Sequence, residues 1–295
     1  MAYLTKALTK DNCARIIFAD TTSIVQKAHE IHSTSNTMTA VLGRSLTAAS
    51  LIGALSKESC ESVTFRLNVD GPVGGVVCVA DSFGNVRGYV KNPKVQLPKK
   101  ANGKIDVSGA VGKGTMYIIK DLGLSQPYVG TLPIVSGEIA EDVTEYFAKS
   151  EQTPTVCALG VRATPQGDCP GAGGFILQLM PEADENIISR IENNLKEFEA
   201  LSYMIEKGIN AKGVIDKVLS GIDYDIMQTH PIDFKCNCSR QRYARALMGL
   251  GKKELERFIE EKENVECECS FCGSKYSFDI NQLQEMISTI NDIKK

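Results

Sequence analysis

The sequence predicts an α+β protein in three parts: an N-terminal α+β domain over residues 1–180, a helical linker over 181–231, and a small cysteine-bearing module over 232–295. Three observations carry that prediction. Segments of alternating and of helical apolar spacing mix throughout the first 180 residues. After Met180 the composition turns acidic, with ten Asp and Glu against five Lys and Arg over 181–231. Five of the ten cysteines then crowd between Cys236 and Cys272.

Taken in order, Ala14-Arg15-Ile16-Ile17-Phe18-Ala19 reads as a strand, and 23–32 and 36–56 as helices. The second helix places Met38, Val41, Leu42, Leu46, Ala49 and Ile52 at helical spacing behind the capping residues Ser35 and Asn36. From Val63 the pattern becomes β. Residues 63–69 alternate until Asp70-Gly71-Pro72 breaks them, and the run to Gly75 is a turn that needs positive φ rather than a cofactor box. Strands at 76–80 and 86–90 flank a hairpin turn at Ser82-Phe83-Gly84-Asn85. Further strands are expected at 115–120, 128–135, 155–161 and 174–180, interrupted by a helix at 138–150. Val111-Gly112-Lys113-Gly114-Thr115 lacks phosphate-loop spacing and reads as a glycine-rich turn before a strand.

In the linker, Ile188, Ile191, Leu195, Phe198 and Ile205 recur at three- and four-residue steps, with Ser202 filling the remaining step. That pattern predicts one amphipathic helix whose apolar stripe lies on another surface. A second, shorter helix over 211–219 ends at Gly221. The last segment has eleven acidic and eleven basic residues. At its length a hydrophobic core alone is marginal, and a metal often makes up the difference.

Whole-chain properties exclude several classes. A net charge of −3 supplies no general attraction for a polyanion. No run approaches eighteen uncharged apolar residues, so no membrane span is expected, and the first six residues lack a secretory signal. The cytoplasm is the expected compartment, where thiols stay reduced. With three histidines and no nucleophile-elbow, phosphate-loop or zinc-protease motif, no enzymatic activity is expected. His29 and His32 are expected at the surface. Scattered cysteines such as Cys78, within an apolar run, read as small buried hydrophobes.

The crowded cysteines need chemistry. Cys236-Asn237-Cys238 and Cys269-Ser270-Phe271-Cys272-Gly273 stand thirty residues apart. Zinc takes four soft ligands tetrahedrally, and two short pairs supply them with little entropy to lose. Glycine after Cys272 permits the tight turn of a zinc knuckle. Asn237 must turn, because neighbours two apart on a straight strand diverge from one metal point. A helix over 242–261, around Gly249-Leu250-Gly251, forms the body of the module. Cys267, two residues before Cys269, could compete as a ligand. Zinc here could be an inert staple or a switch, since thiolates are what oxidants attack.

The chain resembles the heat shock protein 33 family, the redox-regulated holdase chaperones. The resemblance rests on Cys236-x-Cys238 and Cys269-x-x-Cys272 with Gly249-Leu250-Gly251-Lys252-Lys253-Glu254-Leu255 between them. It rests also on Asp70-Gly71-Pro72-Val73-Gly74, Lys120-Asp121-Leu122-Gly123, Val135-Ser136-Gly137-Glu138 and Ala172-Gly173-Gly174-Phe175-Ile176-Leu177-Gln178-Leu179-Met180-Pro181. Cys169-Pro170-Gly171 and the additional Cys267 depart from the pattern. The resemblance implies a reduced, inactive monomer with one Zn²⁺ on Cys236, Cys238, Cys269 and Cys272. Oxidation of those four would release zinc, unfold the module, destabilise the linker and yield an active homodimer that holds unfolded client proteins. On reach, the expected disulfides are Cys236–Cys238 and Cys269–Cys272, with Cys267 the competitor. Two rivals are a zinc-ribbon nucleic-acid binder, which would need a basic face, and a thiol-disulfide oxidoreductase using Cys269-x-x-Cys272. No nucleic-acid and no membrane partner is expected.

Overall fold

The chain opens on an antiparallel pair, β1 (Tyr3–Thr9) and β2 (Ala14–Asp20), closed by a turn in which Asn12 takes φ 59° and Asp11 accepts the Cys13 N–H. This is a computed structural model, and it describes residues 1–293 except 57, 165, 166, 182, 197, 262 and 263. Helices α1 (Thr22–His32) and α2 (Asn36–Gly53) follow. Ser35 caps α2 by accepting the Met38 N–H, as its side-chain chemistry predicts.

Next come β3 (Ser62–Val69), β4 (Val76–Asp81), β5 (Val86–Val90), the short α3 (Val107–Val111), β6 (Gly114–Asp121) and β7 (Tyr128–Pro133). The β4–β5 turn is organised by Asp81, whose carboxylate accepts the N–H groups of Phe83 and Asn85 while Gly84 takes φ 88°. Helix α4 (Ala140–Ser150), β8 (Thr155–Arg162) and β9 (Gly171–Leu179) complete the first 180 residues. Then follow α5 (Glu185–Lys196), α6 (Leu201–Glu206), α7 (Ala211–Val218) and β10 (Tyr224–Pro231).

Two antiparallel sheets result, β10-β1-β2-β9-β8 and β5-β4-β3-β6-β7. Helix α2 packs on strands of both, which is why nearly every residue of it is buried, its threonines and serines included. Those hydroxyls are satisfied inside: Thr47 and Ser45 bond carbonyls one turn back, and Ser50 bonds the Gly84 carbonyl. The Val135–Ile139 stretch wraps the buried carboxylate of Asp142, which accepts N–H groups from Val135, Ser136 and Ile139 at 2.8, 3.0 and 3.0 Å. Glu138 at its end is gripped by Arg44 and Lys100, each at 2.6 Å.

The described residues divide into two units, Met1–Lys235 and Cys236–Lys295. Residues 181–231 therefore lie within the first unit and are not helical throughout. Tyr224–Pro231 is an edge strand paired along β1. The single helix expected for the stripe is two helices, because the chain between α5 and α6 leaves the helical path; residue 197 lies outside the described residues. The cause is close docking of α6: a Cβ on Gly160 or Gly171 would meet the Ser202 backbone at 2.7 or 2.2 Å. Helices α5–α7 bury Ile191, Met204, Ile205, Val214 and Ile215 against Ile16, Phe18, Phe175 and Leu177, and Phe198 meets Phe175 edge-on at 5.6 Å.

Residues 232–235 close the first unit. Ile232 and Phe234 are buried, Val86 N–H donates to the Asp233 carbonyl, and Lys235 N–H donates to the Val86 carbonyl, both at 3.0 Å. Lys27 reaches Asp233 at 3.4 Å and the Phe234 carbonyl at 3.1 Å.

The second unit contains α8 (Arg240–Gly249), α9 (Lys252–Glu260), the hairpin β11 (Val265–Glu268) and β12 (Lys275–Phe278), and α10 (Ile280–Ile293). The one helix expected over 242–261 is broken at Leu250–Gly251, where Gly251 takes φ 91°. Its apolar core is small: Leu247, Leu255, Phe278, Leu283 and Met286. Among the described residues no helix is long and apolar enough to cross a membrane.

Candidate metal centre

Two loops bring four sulfurs together in the second unit. Cys236 and Cys238 lie in the irregular stretch before α8, where Ser239 caps the helix by accepting the Arg242 N–H and Arg242 returns a bond to the Asn237 carbonyl. Cys269 and Cys272 lie on the turn between β11 and β12. There the Gly273 N–H bonds the Cys269 carbonyl at 2.8 Å and the Cys269 N–H bonds the Ser274 carbonyl at 2.9 Å. Gly273 takes φ 69°, the conformation that the knuckle requires of it.

The four Sγ atoms all lie within 4.8 Å of one another, with Cys236 to Cys269 at 3.8 Å and Cys238 to Cys272 at 3.4 Å. Four sulfurs about 2.3 Å from a tetrahedral zinc would stand about 3.8 Å apart. The donor set and its spacing thus fit a tetrahedral metal that favours soft ligands. These two close approaches run across the two halves of the site. The short-range pairs expected to close on oxidation lie within the same 4.8 Å.

The surroundings are aromatic and polar. The Tyr276 hydroxyl lies 3.1 Å from Cys238 Sγ, and Tyr276 stacks on Tyr243 with ring centroids 4.9 Å apart. The Cys238 contact pushes the Tyr276 phenol up to about 12. Burial raises Cys236 to about 12 and also raises Cys238. Burial pushes Cys272 upward too, but hydrogen bonds from the Ser274 hydroxyl and N–H, together with those from Cys238 and Cys236, outweigh it and bring this thiol down to about 7. The sequence alone singles out neither tyrosine nor Ser274. Their one-dimensional signal is weak, because only the β11–β12 hairpin and the start of α8 bring them to the sulfurs.

Cys267 sits elsewhere. It pairs in register with Tyr276 on the β11–β12 ladder and packs with Val265 against the module's apolar core, outside the group of four thiols. Cys13, Cys78, Cys157 and Cys169 are buried, and burial raises their thiol pKa values, Cys169 to about 12. Cys60 departs from the scattered set and is exposed. His29 and His32 are half-buried, contrary to expectation. His29 Nδ1 lies 3.1 Å from the Thr34 hydroxyl and His32 Nε2 lies 3.0 Å from the Gly88 carbonyl.

Comparison with known proteins agrees with this architecture. A family profile described as Hsp33 protein matches residues 2–279. A 33 kDa chaperonin of Acetivibrio thermocellus is 43% identical over 292 residues, covering 99% of each chain. One from Clostridioides difficile is 42% identical over 286 residues, covering 97% of this chain and 98% of the relative. A crystal structure of a 33 kDa chaperonin (heat shock protein 33 homolog) from Thermotoga maritima superposes with a TM-score of 0.91 at 34% identity, covering 98% of this chain and 99% of that one.

Proposed function

The chain belongs to the Hsp33 family and has a chaperone role, and from that premise we propose a redox-regulated holdase. It binds unfolding proteins and prevents their aggregation under oxidative stress, without catalysis, in the cytoplasm. The reduced form, with Zn²⁺ on Cys236, Cys238, Cys269 and Cys272, is the inactive one. The observation that carries the reading is the convergence of four sulfurs within 4.8 Å in a module whose fully buried apolar core, among the described residues, is five side chains with partly buried ones packed around them. Bound zinc would crosslink two loops there and contribute on the order of 10–16 kcal/mol to folding.

Oxidation consumes the donor set. One thiolate attacks a peroxide oxygen, the O–O bond breaks, and the sulfur becomes a sulfenic acid as hydroxide leaves and takes a proton from solvent to form water. A second thiolate displaces the sulfenic hydroxyl and closes the disulfide, so two thiols and one peroxide give one disulfide and two waters. Folded proximity does not rank the pairs, so pairing is decided as the module opens. Closing a loop of about three residues rather than about thirty then saves about 2 kcal/mol. That favours Cys236–Cys238 and Cys269–Cys272. Without the crosslink the core left in the module is too small to stand alone.

The stripe Ile188, Ile191, Leu195, Phe198 and Ile205, docked in this structure, is the apolar surface offered to clients once the linker over 181–231 loosens. The active form is a homodimer. The test is aggregation of a thermally unfolding client with reduced and with peroxide-treated protein, beside zinc content and disulfide mapping. Suppression only after oxidation, with one zinc lost and the two short disulfides formed, is the expected result. Equal activity in both states, or a Cys267–Cys269 disulfide in the active form, overturns it.

A further inference from the structure

The linker helices are held unevenly. Helix α6 lies so close to β8 and β9 that Gly160 and Gly171 leave no room for a Cβ, and its Leu201, Met204 and Ile205 are buried. Helix α5 is twice as long, and Ile191 is its one buried residue. Between α5 and the sheet is a cleft of about 280 Å³. Val156, Leu177 and Leu179 form its floor, and Ile188, Ile191 and Leu195 of α5 form its opposite wall. Where a solvent-open cleft of this size lies under one helix, the facing side chains lack part of the dispersion contacts that close packing would give them.

We propose that this cleft is a binding site for a small neutral apolar molecule, and that its occupant holds α5 against the sheet. A wholly apolar cavity of about 150 Å³ already takes benzene, and this cleft is larger. Among the described residues the one charged group that lines it is the exposed carboxylate of Glu192. That charge disfavours a ligand carboxylate, and a floor of aliphatic side chains offers no partner to a buried charge. The class selected is a neutral alkyl or aromatic molecule rather than a fatty acid. Because α5 is one wall, the site exists only while α5 is docked. An occupant at ten times its dissociation constant therefore shifts the docked-to-released ratio about 11-fold. This regulatory half rests on the proposed release of the linker, whereas binding itself does not.

The experiment uses the reduced full-length protein with 1-octanol and octanoate as probes. Methyl NMR should show saturable shifts at Ile188 and Ile191 with octanol, and binding of octanoate at least tenfold weaker. Ala148 lines the rim of the cleft from α4 and is exposed, so Ala148→Leu fills the cleft without disturbing the core. It should weaken octanol binding at least tenfold and slow hydrogen exchange in α5; Leu195→Phe serves if that variant does not fold. Octanol should slow α5 exchange by the linkage factor and leave α6 unchanged. No saturable shift up to the solubility limit, equal binding of octanoate, or undiminished binding in a folded Ala148→Leu protein overturns the site. Binding without slower α5 exchange overturns its holding role. Failure of α5 to loosen on oxidation in the absence of octanol would instead count against the functional reading.

Discussion

Replacing Met204 with alanine should release α6 without oxidation. Met204 is fully buried between α6 and the β2–β9 face, and α6 is only six residues long. A helix that short has no stability of its own, so its docking free energy comes from packing. Truncating a buried Met to Ala costs about 2–5 kcal/mol. Taking about 3 kcal/mol and a factor of ten for each 1.4 kcal/mol, the open population rises roughly 100-fold. Hydrogen exchange of the 201–206 amides in reduced protein should accelerate by that factor, while α1 and α2 keep their protection. In an aggregation assay the reduced variant should then suppress client aggregation, and Met204→Leu should behave like the parent. Equal acceleration in α2 would mean that the whole unit is destabilised and the linker does not open locally. A hundredfold opening with no chaperone activity would refute the coupling of linker release to function.

Other measurements reach different parts of the molecule. Glu138 resists its burial cost because Lys100 and Arg44 hold its carboxyl down to about 2 from an ordinary 4.5. The shift corresponds to about 3 kcal/mol, or roughly 1–2 kcal/mol after screening at this part-exposed site. A depressed carboxyl stabilises above its unfolded pKa and loses that contribution as pH falls toward 2. Glu138→Gln should therefore be less stable at pH 7, with its denaturant midpoint converging on the parent's between pH 5 and 2; a gap that widens in acid contradicts this. Asp142→Ala leaves four loop N–H groups without their acceptor and should cost about 3–5 kcal/mol in urea unfolding. Asp142→Asn should cost roughly half as much, since the amide keeps one acceptor. Cys267→Ser should retain one zinc per reduced chain by elemental analysis, whereas Cys269→Ser should retain none and lose hydrogen-exchange protection across 236–278.

The parts of this structure legible in the sequence are those whose pattern is local. Residues 76–90 alternate around Asp81 and Gly84, and α2 carries its helical spacing and its own cap. β1 is hard to read because buried Thr5 and Thr9 interrupt its apolar pattern, and their hydroxyls find partners in Thr229, in Asp11 of the turn and in the Ala14 backbone. β10 has no pattern at all, since an exposed edge strand buries neither face and its partner lies at the other end of the chain. The stripe from Ile188 to Ile205 continues in helical register through a break imposed by tertiary contact at Gly160 and Gly171. No periodicity reports such a contact. That four sulfurs converge could be read from spacing alone, because two short cysteine pairs are the pattern a tetrahedral site would use. Tyr276 and Ser274, which tune those sulfurs, could not, since only the folded hairpin aims them.

The mooring at residues 232–235 has a polymer-physics consequence. The residue after Lys235 is Cys236, so if the module unfolds, sixty residues become a flexible tail grafted at one fixed point beside the β4–β5 hairpin. A free chain of that length has a radius of gyration of about 23 Å. Grafted, it sweeps out a volume comparable to a small domain and resists compression entropically. Two clients approaching that point would meet a soft osmotic barrier before their surfaces touch, whether or not the tail binds either of them.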